Sequence, residues 1–330
     1  MRTFTFKGLL LTAVFMLPGC LSIQAANDDL ITKQITIKLD KAGTLPNKIA
    51  SSEMYKITNL KIIGEINGTD WNMIREMAGR NYQESSTEGN LSVLDLSEAK
   101  IVAGGDYYYY DNLFNNKVYT SNDEIGEYAF AYCSGLTSLT LPVGITSIGE
   151  FAFSGCSGLT SLTLPAGITS IGEYAFSGCS GLTSLNLPAG ITSIDKYAFS
   201  GCSRLTSLTL PAGITSIGEF AFSYCSGLTS IYEYAEKVPR IGRYAFEGCA
   251  SRKCTLYVPK GTYDNYRLSE FGYFENIVEF DATGIDKTTT STDVEEVSRY
   301  SLNGQRLVGP TKGLNIVKYS DGSVKKVAVE

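Results

Sequence analysis

Apolar positions return at a fixed period through the middle of the chain. An isoleucine, a short polar segment and an aromatic-Ala-Phe triplet begin at Ile125, Ile148, Ile171, Ile194 and Ile217, each 23 residues after the last, and a sixth copy begins at Ile241 after one inserted residue. Within a unit, Leu159, Leu162 and Leu164 make an L-x-x-L-x-L frame that recurs at Leu136, Leu182 and Leu205. That spacing predicts a short strand with leucines inward and Ser161 and Thr163 outward. Pro165 ends the strand, and "ITSIGEYAF" predicts a brief extended segment and a tight turn along the other side. A unit of this size cannot bury its apolar side alone, so neighbouring units must stack. The expected fold is a repeat solenoid of leucine-rich repeat type, with 23-residue coils aligned into a parallel sheet on one face.

The frame starts before the regular copies, at Ile57, Leu60 and Ile62 and again at Leu91, Leu94 and Leu96. "TDWNMIREMAG" between them predicts a helix capped by Thr69 or Asp70, with Trp71, Ile74 and Met77 on one face. Residues 27–124 are expected to form an irregular α/β N-terminal cap and 125–258 the regular repeats. The strand, short helix and strand predicted over the following segment place a C-terminal cap at 259–280. "ATGIDKTTTSTDV" sets a polar linker at 281–293. Alternation around Asn303-Gly304 and Asp321-Gly322 predicts a small all-β tail at 294–330.

Composition removes several functions. The chain has no histidine and a net charge of −6. The commonest general base and the usual zinc and haem ligands are therefore missing, and no basic field exists for nucleic acid. Arg2, Lys7 and the apolar run Gly8–Leu17 read as an export signal too short to span a bilayer. Two cleavages are open: an ordinary cut after a signal of residues 1–25, or a lipoprotein cut before Cys20 that attaches lipid to it. In either case the chain is expected at the cell surface or secreted, rather than in the periplasm.

Cys133, Cys156, Cys179, Cys202, Cys225 and Cys249 occupy one place in successive coils. Thiols in an exported chain invite a disulfide or metal reading. Equivalent side chains in a stack point the same way, however, and a column is not a tetrahedral cage, so a buried structural ladder is expected and no metal or cofactor. A Cys249–Cys254 bridge stays open. Glu127, Glu150, Glu173 and Glu219 form a file that reads as a solvated face, and nothing singles out two of them as a glycosidase pair.

Outward strand positions carry the binding expectation: Ser138, Thr140, Ser161, Thr163, Ser184, Asn186, Ser207, Thr209, Ser230 and Tyr232. Short hydroxyls lose little side-chain entropy on contact and suit a protein or glycan held by many small contacts. The break in repetition at "GGDYYYYDNLFNN" supplies a second candidate, because Tyr107, Tyr108, Tyr109 and Tyr110 cannot all point inward.

"IGEYAFSGCSGLTSLTLP" and its copies closely resemble the BspA-like, or Treponema-type, bacterial leucine-rich repeat family. "LSVLDLSEAKIVAGGDYY" resembles the leading segment of Bacteroides-type members, and "YSLNGQRL" with "KGLNIVKYSDGSVKKVAV" resembles the C-terminal sorting tail of exported Bacteroidetes proteins. The resemblance implies a non-enzymatic surface protein that works by adhesion-like binding to an extracellular protein or glycan. An envelope protein without external ligand is the alternative. The chain is expected to be monomeric, to touch membrane only through a lipid on Cys20, and to bind no nucleic acid.

Overall fold

The computed structural model describes residues 29–112, 115–282, 296–301, 306–307, 313–319 and 324–329. Cys20, both cleavage readings, the linker from residue 283 on, and the Asn303-Gly304 and Asp321-Gly322 turns lie outside them.

The chain opens with β1 (Ile35–Lys38), β2 (Asn59–Ile66), helix α1 (Gly68–Met77), β3 (Val93–Ile101) and a hairpin of β4 (Gly104–Asp111) and β5 (Asn116–Thr120). Then come the repeats, whose strands are Ser138–Thr140, Ser161–Thr163, Ser184–Asn186, Ser207–Leu210 and Ser230–Glu233. Strands Thr255–Pro259 and Asn276–Phe280 close the stack, with helix α2 (Tyr263–Arg267) between them. Apart from the antiparallel β4–β5 hairpin these strands pair in parallel, Leu139 beside Leu162 and Leu185 beside Leu208, so one leucine column runs along the axis. Two five-stranded ladders result, bridged where Thr183 N–H donates to the Thr160 carbonyl at 3.4 Å. On the opposite side, two-residue strands such as Ser147–Ile148 and Ser170–Ile171 form narrow parallel ladders. The fold is the expected leucine-rich repeat solenoid.

After each narrow strand the chain makes consecutive turns. Their N–H groups bond forward to the next coil: Tyr128 to Glu150 O at 3.0 Å, Phe130 to Ala152 O at 2.7 Å and Tyr132 to Ser154 O at 2.7 Å. On the sheet side the direction reverses, as Thr160 N–H donates back to Thr137 O at 3.1 Å. Each thiol of the cysteine column is free and buried. Cys156 Sγ donates to Phe130 O at 3.0 Å and Cys179 Sγ to Phe153 O at 3.2 Å, so the column satisfies buried carbonyls. Burial pushes the Cys133, Cys156 and Cys179 thiols up, away from the reactive thiolate. Cys249 and Cys254 are also free and buried.

Two aromatic columns fill the turn side. Phe130, Phe153, Phe176, Phe199, Phe222 and Phe246 are buried and stack at centroid distances of 4.9–5.5 Å. Tyr128, Phe151, Tyr174, Tyr197 and Phe220 are half-buried and stack at 4.5–4.9 Å. This second column sits in the left-handed region, at φ 52–55°. That conformation costs a non-glycine residue about 1–2 kcal/mol, and a ring stacked on both faces recovers a similar amount beyond its buried area, about 0.5–1.5 kcal/mol per pair. Another left-handed position in the coil is glycine at Gly155, Gly178, Gly201 and Gly248 but tyrosine at Tyr132 and Tyr224. The exceptions explain their neighbours, since a Cβ on Gly155 would meet the Tyr132 ring at 2.6 Å and one on Gly248 the Tyr224 ring at 2.8 Å.

The stack has polar ends that need closing. In the first coil the Glu127 and Ala129 carbonyls have no earlier coil to bond. Tyr108 Oη donates to Glu127 O at 2.9 Å, and Ala129 O accepts from Trp71 Nε1 and Arg75 Nη1, each at 3.0 Å. Trp71 also continues the phenylalanine column, 5.2 Å from Phe130, and Tyr109 continues the second column, 4.1 Å from Tyr128. The helix that delivers Trp71 and Arg75 is capped two residues before Thr69, the earlier of the two expected caps. Its cap is Asn67, whose side chain accepts from Thr69 N while Asp70 reaches back to Asn67 N, a reciprocal capping box. At the other end Phe271 and Phe274 close on Phe246 at 5.5 and 5.3 Å. The tail strands Glu296–Ser301, Arg306–Leu307, Gly313–Tyr319 and Val324–Val329 form an antiparallel sheet of their own.

Candidate functional site

The parallel register sets what the sheet face presents. Because Leu162 and Leu185 turn inward, Ser161, Thr163, Ser184 and Asn186 stand exposed in two adjacent coils, as does Thr140. Toward both ends the face is less open: Ser138, Ser207, Thr209, Ser230 and Tyr232 are half-buried. Ser230 Oγ bonds Ser207 Oγ at 3.2 Å, and Tyr232 stacks on Tyr257 at 4.6 Å, where burial pushes its phenol up to about 12. The ten positions therefore share one face, and Ser207, Ser230 and Tyr232 are tied to neighbours there. Bordering this face, Thr137, Thr160, Thr183, Thr206 and Thr229 each donate a hydroxyl to a carbonyl one coil back, at 2.9–3.3 Å. These bonds pin the strand starts, so the surface is held rigid by its own side chains.

The tyrosine run splits in two. Tyr108 and Tyr109 are buried, Tyr108 bonded to the Glu127 carbonyl and Tyr109 stacked on the end of the second aromatic column, and are lost to any partner. Tyr107 and Tyr110 are half-buried; Tyr107 receives the Lys117 ammonium over its ring at 4.7 Å, and Tyr110 Oη donates to Asn115 at 2.6 Å. Of the run, Tyr107 and Tyr110 keep partial exposure, and among the described residues of the hairpin Tyr119, on the returning strand, is the most open aromatic, 49% exposed.

Beside that strand lies a groove of about 390 Å³. Asn116, Lys117 and Tyr119 of β5 form one wall, and Glu124, Glu127 and Glu150 rim the coils opposite. Gly149 and Gly172 line it from successive turns. Crowding keeps this side bare, since a Cβ on Gly149 would come within 2.7 Å of Glu127 N. Burial, then the charges of Glu127, Glu173 and Asp195, raise the Glu150 carboxyl above its usual range. In the sequence Glu127 and Glu150 belong to one file with Glu173 and Glu219. What distinguishes them is the hairpin folded against the first coils, a long-range placement that no local spacing encodes. Among the described residues no group of three or more His, Cys, Asp or Glu is placed to hold a metal ion, and no helix is long and apolar enough to cross a membrane.

A rigid polar sheet on a stack of short coils defines the class, a leucine-rich repeat solenoid. Residues 123–253 match the BspA type leucine rich repeat region in six copies, and this repeat region is of that family. The chain is similar to the leucine rich repeat protein of T. pallidum, at 28% identity over 46% of this chain and 73% of that one, with a TM-score of 0.38. It is also similar to a leucine rich cell surface protein from Faecalibacterium prausnitzii, at 23% identity over 68% and 51% of the two chains, TM-score 0.32. The pneumococcal vaccine antigen PcpA aligns at 15% identity over 75% and 68%, TM-score 0.38. No curated protein matches.

Proposed function

We propose that the chain is an exported, non-enzymatic binding protein of the bacterial surface that holds an extracellular protein or glycan on its sheet face in an adhesin-like manner. The observation that carries this reading is the exposed pair of rows Ser161, Thr163, Ser184 and Asn186 above buried leucines, on strands already pinned by threonine bonds. Such a platform pays little ordering entropy on contact, and weak contacts along it add. Protease shaving of intact cells tests exposure first. Release of peptides ending at Arg204 from intact cells is the expected result; protection until lysis favours an envelope protein without external ligand. The face itself is tested by Ser161→Asp with Ser184→Asp, expected to weaken binding to immobilised extracellular-matrix proteins or glycans about tenfold or more. Undiminished binding by the folded double variant sinks the face as the site.

A further inference from the structure

The groove between β5 and the first coils has a composition that differs from the sheet face and from the cap around it. Its walls supply the Asn116 amide and the Tyr119 ring on one side and the Glu124, Glu127 and Glu150 carboxylates on the other. The volume, about 390 Å³, falls within the roughly 300–1,000 Å³ usual for small-ligand clefts. A peptide would need apolar anchors, yet Ile125 is buried and Val118 half-buried, so neither offers a deep apolar subsite. Carboxylates accept strongly from neutral hydroxyls, and a side-on amide can donate and accept beside them. An aromatic ring with an exposed edge adds contact to an apolar CH surface. An acidic ligand meets those carboxylates with one lysine to balance them, and Lys117 already rests over the Tyr107 ring.

We infer that this groove is a saccharide-binding site, and that it takes the end of a neutral glycan in preference to an acidic one. Its ligand hydroxyls would bond Glu127, Glu150 and Asn116, with a CH face against Tyr119. The site is separate from the sheet face and works whether or not that face binds a macromolecule.

The test is saturation-transfer NMR on the full chain with lactose, cellobiose, chitobiose and N-acetyllactosamine as neutral probes, 3′-sialyllactose as the acidic one and a lysine-containing hexapeptide as the alternative. At least one neutral disaccharide is expected to bind, more tightly than sialyllactose. Its affinity should fall about tenfold or more, some 1.4 kcal/mol, in Tyr119→Ala and in Glu127→Gln, and stay unchanged in Glu236→Gln, at an exposed carboxylate outside the groove lining. Both groove substitutions are at exposed positions, and thermal melting confirms that each variant is folded. Silence of all four neutral probes, binding indifferent to both groove variants, or binding of the hexapeptide in place of the sugars overturns the assignment. Loss in Ser161→Asp alone moves the sugar to the sheet face and equally overturns it.

Discussion

At Glu233 the leucine column carries a carboxyl group. The frame places leucine at Leu141, Leu164, Leu187 and Leu210, and Glu233 pairs in register with Leu210. It is fully buried; one oxygen accepts from Ala235 N at 2.9 Å, and Oε2 has no hydrogen-bond partner among the described residues. The titratable groups around it are phenols: Tyr232 and Tyr234 on the same segment and Tyr266 from α2, whose hydroxyl donates to Ala235 O at 2.7 Å. Burial therefore pushes Glu233 from 4.5 up to about 8. The folded chain then keeps a proton that the unfolded chain releases between those values. Stability from this group is complete below the unfolded value and is lost as pH rises through about 8. At about 1.4 kcal/mol per pKa unit, the loss is on the order of a few kcal/mol. Melting at pH 5 and pH 8.5 should show the wild-type chain clearly less stable at the higher pH. Glu233→Leu, which restores the column, should melt higher at pH 8.5 and lose most of that difference. An unchanged difference in Glu233→Leu would place the titration elsewhere.

An element that closes a solenoid must imitate the coil that is absent, and α1 with the β4–β5 hairpin does so atom by atom. Trp71, Arg75 and Tyr108 supply the three donors that the first-coil carbonyls need, and Trp71 and Tyr109 supply the next rings of the two columns. Arg75 is fully buried, and its guanidinium also reaches Tyr128 O and lies over the Tyr109 ring. Arg75→Met keeps much of the volume but removes one donor each from Tyr128 O and Ala129 O, which keep only Ala131 N and Trp71 Nε1, a loss of about 1–3 kcal/mol. Because each coil touches only its neighbours, hydrogen exchange should accelerate in residues 125–136 and hardly change in residues 217–228. Uniform acceleration along the chain would show that the cap is coupled to the whole stack. These residues also mark where the sequence stops being informative. The 23-residue period made the strands, the buried Phe and Cys columns and the outward Ser-Thr pairs visible, because each is a local pattern repeated in register. Helix α1 was visible from Trp71, Ile74 and Met77, but its start at Asn67 depends on Asp70 turning back, which composition alone does not show. The division of the four tyrosines into two caps and two half-buried rings depends on which coil they meet. The groove is a product of that same meeting.

The whole molecule follows from one-dimensional stacking, which separates what length does from what ends do. An interior coil makes the same contacts as the next: Phe153 to Phe176 at 4.9 Å repeats as Phe176 to Phe199 at 5.1 Å, and Thr160 to Thr137 repeats as Thr206 to Thr183. Removing residues 160–182 joins Leu159 to Thr183 with every column kept in register. The shortened chain should fold as a monomer with the same spectrum per residue and a melting temperature lower by only a few degrees, because one interface is lost from several equal ones. Removing residues 160–171 takes half a coil, breaks the leucine and phenylalanine columns and leaves buried N–H and C=O groups without their register partners. That chain should not fold cooperatively. Starting the chain at residue 123 deletes no regular coil, yet it uncovers Phe130, Ile125 and the Glu127 and Ala129 carbonyls together. An open ladder edge over exposed aromatic surface is a template for another copy. Light scattering after size exclusion should therefore show this end deletion assembling, while the longer interior deletion stays monomeric. If the two deletions behave alike, the aromatic and hydrogen-bonded cap is not what keeps the stack from growing, and the polar outer surface of the coils must suffice.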